Sequence, residues 1–239
     1  MPKLEATIQC SGEAQYTDDI PSFHNEVFGA FTITTEGQGT ITKIDPCEAL
    51  ALEGVICFYT YKDIPGLNSF TPADNVTAVN EPVLCEGNVL YNGQPYGIVV
   101  AETQNLADRA AKLVKVEYSN VTIPVTDINK AKEDSTRNTL FIEVDATNPG
   151  TDTVYKTMKG SNILQGQYHC PMETMVCVAK PTEEGLEVHG SSQWLDGPQT
   201  MISRACNIDQ NKVDFHVKRV GGSYGLKITR SIAGIVAAS

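Results

Sequence analysis

Residues 91–118 read YNGQPYGIVVAETQNLADRAAKLVKVEY, and this stretch decides the fold. Residues 97–101 form a compact apolar run, which is typical of a buried strand. Thr103 is a suitable N-cap for a helix over 105–114, where apolar residues recur at helical spacing on one face. Residues 115–118 then alternate between polar and apolar side chains, as a strand does. The pattern predicts a strand–helix–strand unit.

The segments on either side of this unit continue the mixture of strands and helices, so the predicted fold class is α+β (mixed α/β). We expect domains over 1–135 and 151–239, joined by a linker over 136–150 that is rich in polar residues and turn formers. The remaining predicted strands are 26–35, 40–44, 55–59, 162–169, 174–180, 186–191 and 212–220, and the remaining predicted helices are 127–131, 199–206 and 231–239.

The composition excludes several classes of protein. The chain has 239 residues and a formal net charge of −11, which argues against a nucleic-acid partner because phosphate binding requires lysine and arginine. No apolar run approaches the ~20 residues that span a bilayer. Residues 1–5 do not resemble a signal peptide, so a cytoplasmic location is expected.

The seven cysteines are widely spaced and include no Cys-x-x-Cys pair. Zinc and iron–sulfur sites usually show tighter spacing, so neither is expected in this chain. An odd number of cysteines without a signal peptide predicts reduced, mostly buried thiols. Cys170 and Cys177 have no basic neighbourhood that would activate them as nucleophiles, and we expect both to be buried and inert.

The strongest local signal for a site is the glycine loop, Gly221-Gly222-Ser223-Tyr224-Gly225, directly after a predicted strand. Adjacent glycines permit positive φ and let backbone N–H groups converge on an anion, and a helix that follows would add its positive N-terminal end. The alternative is a tight turn without a ligand. The loop is not a P-loop, because Leu226 precedes Lys227 and Ile228 follows it, and its glycine spacing is not that of a dinucleotide fold.

A second polar segment, GQYHCPMET at 166–174, lies between predicted strands. The amide of Gln167 offers both a donor and an acceptor to a buried ligand. His169 and Glu173 are four residues apart, but Pro171 between them argues against the helix on which they would meet, so we expect structural roles for both. Taken alone, the residues indicate a small-molecule or anion site near 221–227.

Four segments in this order, 12–21, 92–118, 166–173 and 218–227, resemble the molybdenum hydroxylase family of xanthine dehydrogenases and aldehyde oxidases. The likeness runs along the whole chain and is greatest to an internal fragment of an aldehyde oxidase. It implies an α/β hammerhead domain over 1–135, followed over 151–239 by the truncated N-terminal part of a molybdopterin-binding domain.

The resemblance also implies roles for individual residues. Gln167 would hydrogen-bond an oxo ligand of molybdenum, and Gly222, Tyr224 and Gly225 would lie against the Mo-molybdopterin cofactor. The pterin dithiolene would hold the metal, so no protein side chain is expected to ligate it. Xanthine dehydrogenases usually carry Glu where this chain has Ile228, and an apolar residue there favours aldehyde over purine substrates.

The implied activity is oxidation of aldehydes to carboxylic acids, with water as the oxygen source and O2 as the final electron acceptor. The 2Fe-2S clusters, FAD and the general-base Glu would lie outside this chain, so the chain alone is expected to be inactive and the full-length protein to be a homodimer. Two alternatives stay open: a purine hydroxylase of the xanthine dehydrogenase type, or a catalytically dead, truncated binding module.

Overall fold

A computed structural model describes residues 3–72, 80–138, 140, 142–144, 150 and 153–239. The chain divides into two units, one of residues 1–122 with 169–239 and one of residues 123–168. The strands are β1 Phe28–Ile33, β2 Gly39–Asp45, β3 Val55–Tyr59, β4 Asn88–Val89, β5 Pro95–Ala101, β6 Lys115–Ser119, β7 Cys177–Pro181, β8 Leu186–Gly190 and β9 Val213–His216. The helices are α1 Ala6–Ser11, α2 Cys47–Leu50, α3 Gln104–Ala111, α4 Ile128–Glu133, α5 Asp196–Cys206 and α6 Leu226–Ala238.

The predicted strand–helix–strand unit is present as β5, α3 and β6. β5 is the central strand of a three-stranded antiparallel sheet in the order β1-β5-β3. Burial on both faces of β5 explains its continuous apolar sequence, and Val99 is completely buried. Thr103 caps α3 as expected, since its side chain accepts a hydrogen bond from the backbone N–H of Leu106 at 3.3 Å.

A second antiparallel sheet, in the order β4-β2-β6, is part of the same unit. Its core is a cluster around β5 and α3 that includes Tyr96 and Ala110. The hydroxyl of Tyr96 donates to the carbonyl of Val114 at 3.4 Å, which ties β5 to the start of β6.

The third sheet, in the order β7-β8-β9, carries the C-terminal half of this unit. β7 and β8 are antiparallel, whereas β8 and β9 are parallel and are joined through α5. Two parallel neighbouring strands need such a crossover, because the end of the first strand and the start of the second lie at opposite edges of the sheet. α5 and α6 pack with this sheet around a core that contains Val188, Met201 and Ile232, all of which are fully buried.

Three elements differ from the sequence-based expectation. Residues 162–169 form no strand and are exposed, so the apolar residues there have no buried face that would hold them in a sheet. β9 stops at His216, four residues before the predicted end at 220. α6 begins at Leu226, five residues before the predicted start at 231.

The thiols also differ in part from expectation. All seven cysteines are free. Cys10, Cys47 and Cys170 are exposed, Cys85 is buried, and the other three are partly buried. The prediction of mostly buried thiols was therefore wrong. No helix in the described part of the chain combines the length and the apolar character that crossing a membrane requires.

Candidate functional site

The glycine loop connects β9 to α6 and has an unusual backbone conformation. Gly222, Tyr224 and Gly225 have φ angles of +99°, +55° and +95°. Glycine enters this left-handed region without a steric penalty, whereas a bulky side chain such as that of Tyr224 rarely does. The positive φ angles that the glycines were expected to permit are therefore present at Gly222 and Gly225.

The loop also offers free hydrogen-bond donors. Within the described residues, the backbone N–H groups of Gly222, Tyr224 and Gly225 have no hydrogen-bond partner. They stand at the N-terminus of α6, a helix of 13 residues with no acidic residue in its first turn. Free donors and the positive end of a helix dipole both favour an anionic ligand.

A buried ion pair lies beneath the loop. Lys227 is 0% exposed, and its Nζ lies 2.8 Å from Glu173 Oε2 and 3.0 Å from Ser191 Oγ. The same carboxylate oxygen accepts from Ser191 Oγ and from the backbone N–H of Gly221, each at 2.6 Å. One oxygen atom therefore receives three donors, one from the end of β8 and two from the stretch 221–227.

These contacts determine the ionisation of Glu173. Burial raises the pKa of its carboxyl group, but hydrogen bonds from Lys227, Ser191 and Gly221, with the charge of Lys227, outweigh burial. The net pKa lies below the ordinary value of 4.5, so the group is a carboxylate at neutral pH.

The backbone around Glu173 is held against the loop as well. Its N–H donates to the carbonyl of Gly221 at 3.1 Å. A Cβ atom at Gly221 would lie 2.5 Å from the Cβ of Glu173, a distance that real Cβ atoms essentially never show. The first glycine of the loop is therefore required by close approach.

The end of β8 holds the other side of the loop. Ser223 Oγ donates to the side-chain carbonyl of Gln193 and accepts from the N–H of Lys227 at 3.0 Å. The carbonyl of Lys227 accepts from the N–H of Gln193 at 2.9 Å and from Ser192 Oγ at 3.1 Å. The first turn of α6 is thus attached to residues 191–193 by both side chains and backbone.

The structure brings four of the five predicted site residues together. Gly222, Tyr224 and Gly225 belong to the loop, and Ile228 lies in the first turn of α6. Tyr224 is 77% exposed and Ile228 is 44% exposed, so both side chains are accessible. Gln167 belongs to the unit of residues 123–168, where it is exposed in an irregular segment. Its role beside the metal, like the roles of the other four, stays a prediction.

Sequence reasoning missed the partner of Glu173. It considered His169 as a possible partner four residues away, whereas the carboxylate pairs with Lys227, 54 positions along the chain. No local signal identified the pair, because Lys227 lies outside the predicted helix 231–239 and there resembles an ordinary exposed lysine.

The two cysteines near the site behave differently. Cys177 as a whole residue is only partly buried, but burial of its thiol raises the pKa to about 12, so the thiol stays protonated and unreactive near neutral pH. Cys170 is exposed and has a φ of +43°, so the expectation of burial was wrong for this residue.

Residues 11–122 match the family described as "aldehyde oxidase and xanthine dehydrogenase, a/b hammerhead domain", and residues 131–239 match the molybdopterin cofactor-binding domain. The chain belongs to the aldehyde oxidase and xanthine dehydrogenase family. Its predicted α+β fold, with hammerhead and molybdopterin-binding regions in this order, is confirmed. The boundaries 1–135, 136–150 and 151–239 stay a prediction.

The similar relatives include proteins named xanthine dehydrogenase and proteins named aldehyde oxidase. The chain is 34% identical to xanthine dehydrogenase/oxidase of Gallus gallus, over 95% of this chain and 17% of that protein. It is also 34% identical to aldehyde oxidase 2 of Cavia porcellus, over 98% of this chain and 17% of that protein. The chain thus spans about a sixth of the length of these relatives. The aldehyde oxidoreductase of Desulfovibrio gigas shares the fold, with a TM-score of 0.75, 24% identity and coverage of 99% of this chain and 28% of that one.

The glycine loop fits the anionic cofactor that this family implies. The unpartnered N–H groups are donors suited to negatively charged oxygen atoms, and a Cβ at Gly225 would meet nothing within 4 Å, which indicates open space beside it. In the described part of the chain, no group of three or more His, Cys, Asp or Glu side chains could hold a metal ion. The loop could therefore hold the cofactor through hydrogen bonds from its backbone N–H groups.

Proposed function

We propose that this chain forms the glycine-loop side of the molybdopterin site in a longer enzyme that oxidises aldehydes to carboxylic acids. One observation carries the proposal: free N–H groups of Gly222, Tyr224 and Gly225 at the start of α6, in a region that matches the molybdopterin cofactor-binding domain. Preorganised donors of this kind stabilise negative charge without having to reorganise when it appears.

In this proposal the chain's own residues bind and orient the cofactor. The three loop N–H groups would bind anionic oxygen atoms of the cofactor, and the Gln167 amide would donate a hydrogen bond to an oxygen ligand of the metal. The bound molybdenum–pterin cofactor supplies the oxidising centre. Tyr224, which is largely exposed in this chain, would cover one side of that centre and exclude water from it.

Ile228 supports aldehydes as the substrate class. Its side chain is accessible in the first turn of α6, directly after the loop. An isoleucine cannot hydrogen-bond the polar edge of a purine, and a binding site loses strongly when a required polar partner is missing. Purine hydroxylation is the second candidate, because several similar relatives, including that of Gallus gallus, are named xanthine dehydrogenase.

The remaining parts of the proposal concern the rest of such an enzyme. There, 2Fe-2S clusters and FAD would carry electrons to O2, and a general-base Glu would complete the active site. We further propose a cytoplasmic homodimer. The chain of 239 residues alone would not turn over aldehydes, so detectable oxidation by the purified chain would contradict this point.

The test is to express the uninterrupted coding sequence around this chain, measure molybdenum per protein and compare turnover of aldehydes with turnover of xanthine. We expect bound molybdenum and a higher kcat/KM for aldehydes. Protein without molybdenum would favour the inactive binding module, and a preference for xanthine would favour the purine hydroxylase.

Two variants of that protein assign the residues. Ile228→Glu should shift the ratio of kcat/KM values toward xanthine, while the matched control Ile228→Val should leave the ratio unchanged.

Gln167→Ala should lower kcat by about 10²-fold or more, as the loss of a donor to a charged transition state typically does. Unchanged kinetics would remove Gln167 from the site.

A further inference from the structure

An ion pair that is costly to bury lies beneath the glycine loop. Lys227 is the largest of the fully buried side chains in the part of the chain that the structure describes, ahead of leucines and isoleucines. A buried ammonium group needs a charged partner, and Glu173 provides it at 2.8 Å with a side chain that is only 10% exposed. Glu173 Oε1 is buried and has no hydrogen-bond partner among the described residues, which adds to the cost.

Stability alone does not explain this arrangement. The desolvation of two buried charges often exceeds their attraction, so apolar residues of similar volume would support the fold equally well or better. What apolar residues would not supply is the carboxylate oxygen at 2.6 Å from the N–H of Gly221. Hydrogen bonds to a charged acceptor are roughly twice as strong as neutral ones.

The same oxygen joins the segments that define the loop. It receives the N–H of Gly221 at the loop's first residue, the ammonium of Lys227 two residues after the loop's last residue, and the hydroxyl of Ser191 at the end of β8. The loop is therefore held at both ends by one group, and the N–H groups between these ends stay free.

We propose that Glu173 and Lys227 are positioning residues, which hold the glycine loop in its ligand-binding conformation before any cofactor is present. The identity of the ligand rests on the proposed function, whereas the positioning itself does not. The pair acts through the loop backbone and touches no reacting atom.

Amide hydrogen exchange of the 239-residue chain without cofactor tests this inference. The decisive protein is the double variant Glu173→Gln with Lys227→Met, which keeps both volumes, removes both charges and leaves no uncompensated buried charge. A neutral amide oxygen holds the N–H of Gly221 less strongly, so we expect exchange of that amide to become about tenfold faster. Exchange in β8 and α5 should stay as in the wild type.

Glu81→Gln is the matched control, because Glu81 pairs with Arg230 of the same helix at 2.6 Å, but both of these side chains are partly exposed. It should leave exchange at Gly221 unchanged. Unchanged exchange at Gly221 in the double variant would overturn the inference, and so would an equal rise throughout β8 and α5, since the pair would then serve only global stability. Faster local exchange in a chain whose longer protein binds no molybdenum would support the positioning role and contradict the proposed function.

Discussion

The glycine loop and the glutamine-bearing segment, residues 162–169, were both predicted to reach the same cofactor, yet their surroundings differ. The loop is attached through Gly221, Ser223 and Lys227 to residues of two other segments. Residues 162–169 are exposed and irregular, and all of them except His169 belong to a different unit of the chain. The difference is that buried polar contacts within this chain hold the glycine loop in place, whereas the segment that carries Gln167 is exposed.

Preorganisation has a specific cost in the loop region. Its buried charges and its residues with positive φ are tolerated only because neighbouring contacts determine the conformation. Residues 162–169 are exposed, so water can solvate their polar groups. Substitutions that disturb the two regions should therefore have very different effects, and four predictions sharpen or break this comparison.

The largest effect is expected for Lys227→Met alone. It leaves the carboxylate of Glu173 buried without its counter-ion, which costs about 3–5 kcal/mol in the free energy of unfolding. Urea denaturation followed by circular dichroism measures this loss. Arg230→Met on the same helix breaks a partly exposed pair and should cost about 1 kcal/mol or less. Equal losses of unfolding free energy in both variants would show that the buried Lys227–Glu173 pair contributes no more to stability than the partly exposed Arg230–Glu81 pair.

A glycine in each region provides the second comparison. Gly221→Ala places a Cβ atom 2.5 Å from the Cβ of Glu173, so the loop must move, at a cost of about 1–3 kcal/mol. Gly166→Ala adds a Cβ that meets nothing within 4 Å and should change the free energy of unfolding by less than about 0.5 kcal/mol. A Gly221→Ala variant as stable as Gly166→Ala would mean that the loop adapts freely.

Local sequence patterns predicted the parts of the fold that local contacts build. β5, α3 and β6 follow from an apolar run, a capping threonine and an alternating segment, all of which act within a few residues. The same kind of pattern failed at 162–169, because a strand also needs a partner strand, and the sequence of the segment does not contain that information.

The candidate site shows the same limit. The glycine loop was recognisable because glycine enters the positive-φ region more readily than other residues, so a run of glycines signals such a turn within the sequence itself. The buried pair was not, because Glu173 and Lys227 are 54 positions apart and each resembles an ordinary charged residue in the sequence. Only the fold brings them together.

The third prediction concerns pH. The pKa of Glu173 is lower in the folded chain than its ordinary value of 4.5. A group of this kind stabilises the fold above the unfolded pKa, and this contribution is lost as the pH falls through the folded pKa. Unfolding free energies measured from about pH 6 to about pH 3 should fall more steeply for the wild type than for the double variant Glu173→Gln with Lys227→Met. Parallel curves would contradict the charged state of Glu173.

The smallest effect is expected for thiol labelling, which leaves the fold intact. Burial raises the pKa of Cys177 to about 12, so almost none of it is the reactive thiolate near neutral pH. Cys170, close to the exposed segment, is accessible to solvent. Brief alkylation with iodoacetamide, read by peptide mass spectrometry, should modify Cys170 and leave Cys177 unmodified, and a Cys170→Ser variant should lose only the first signal. Equal labelling of both thiols would show that the core beside α6 opens as readily as the exposed segment, and the contrast between the two regions would then fail.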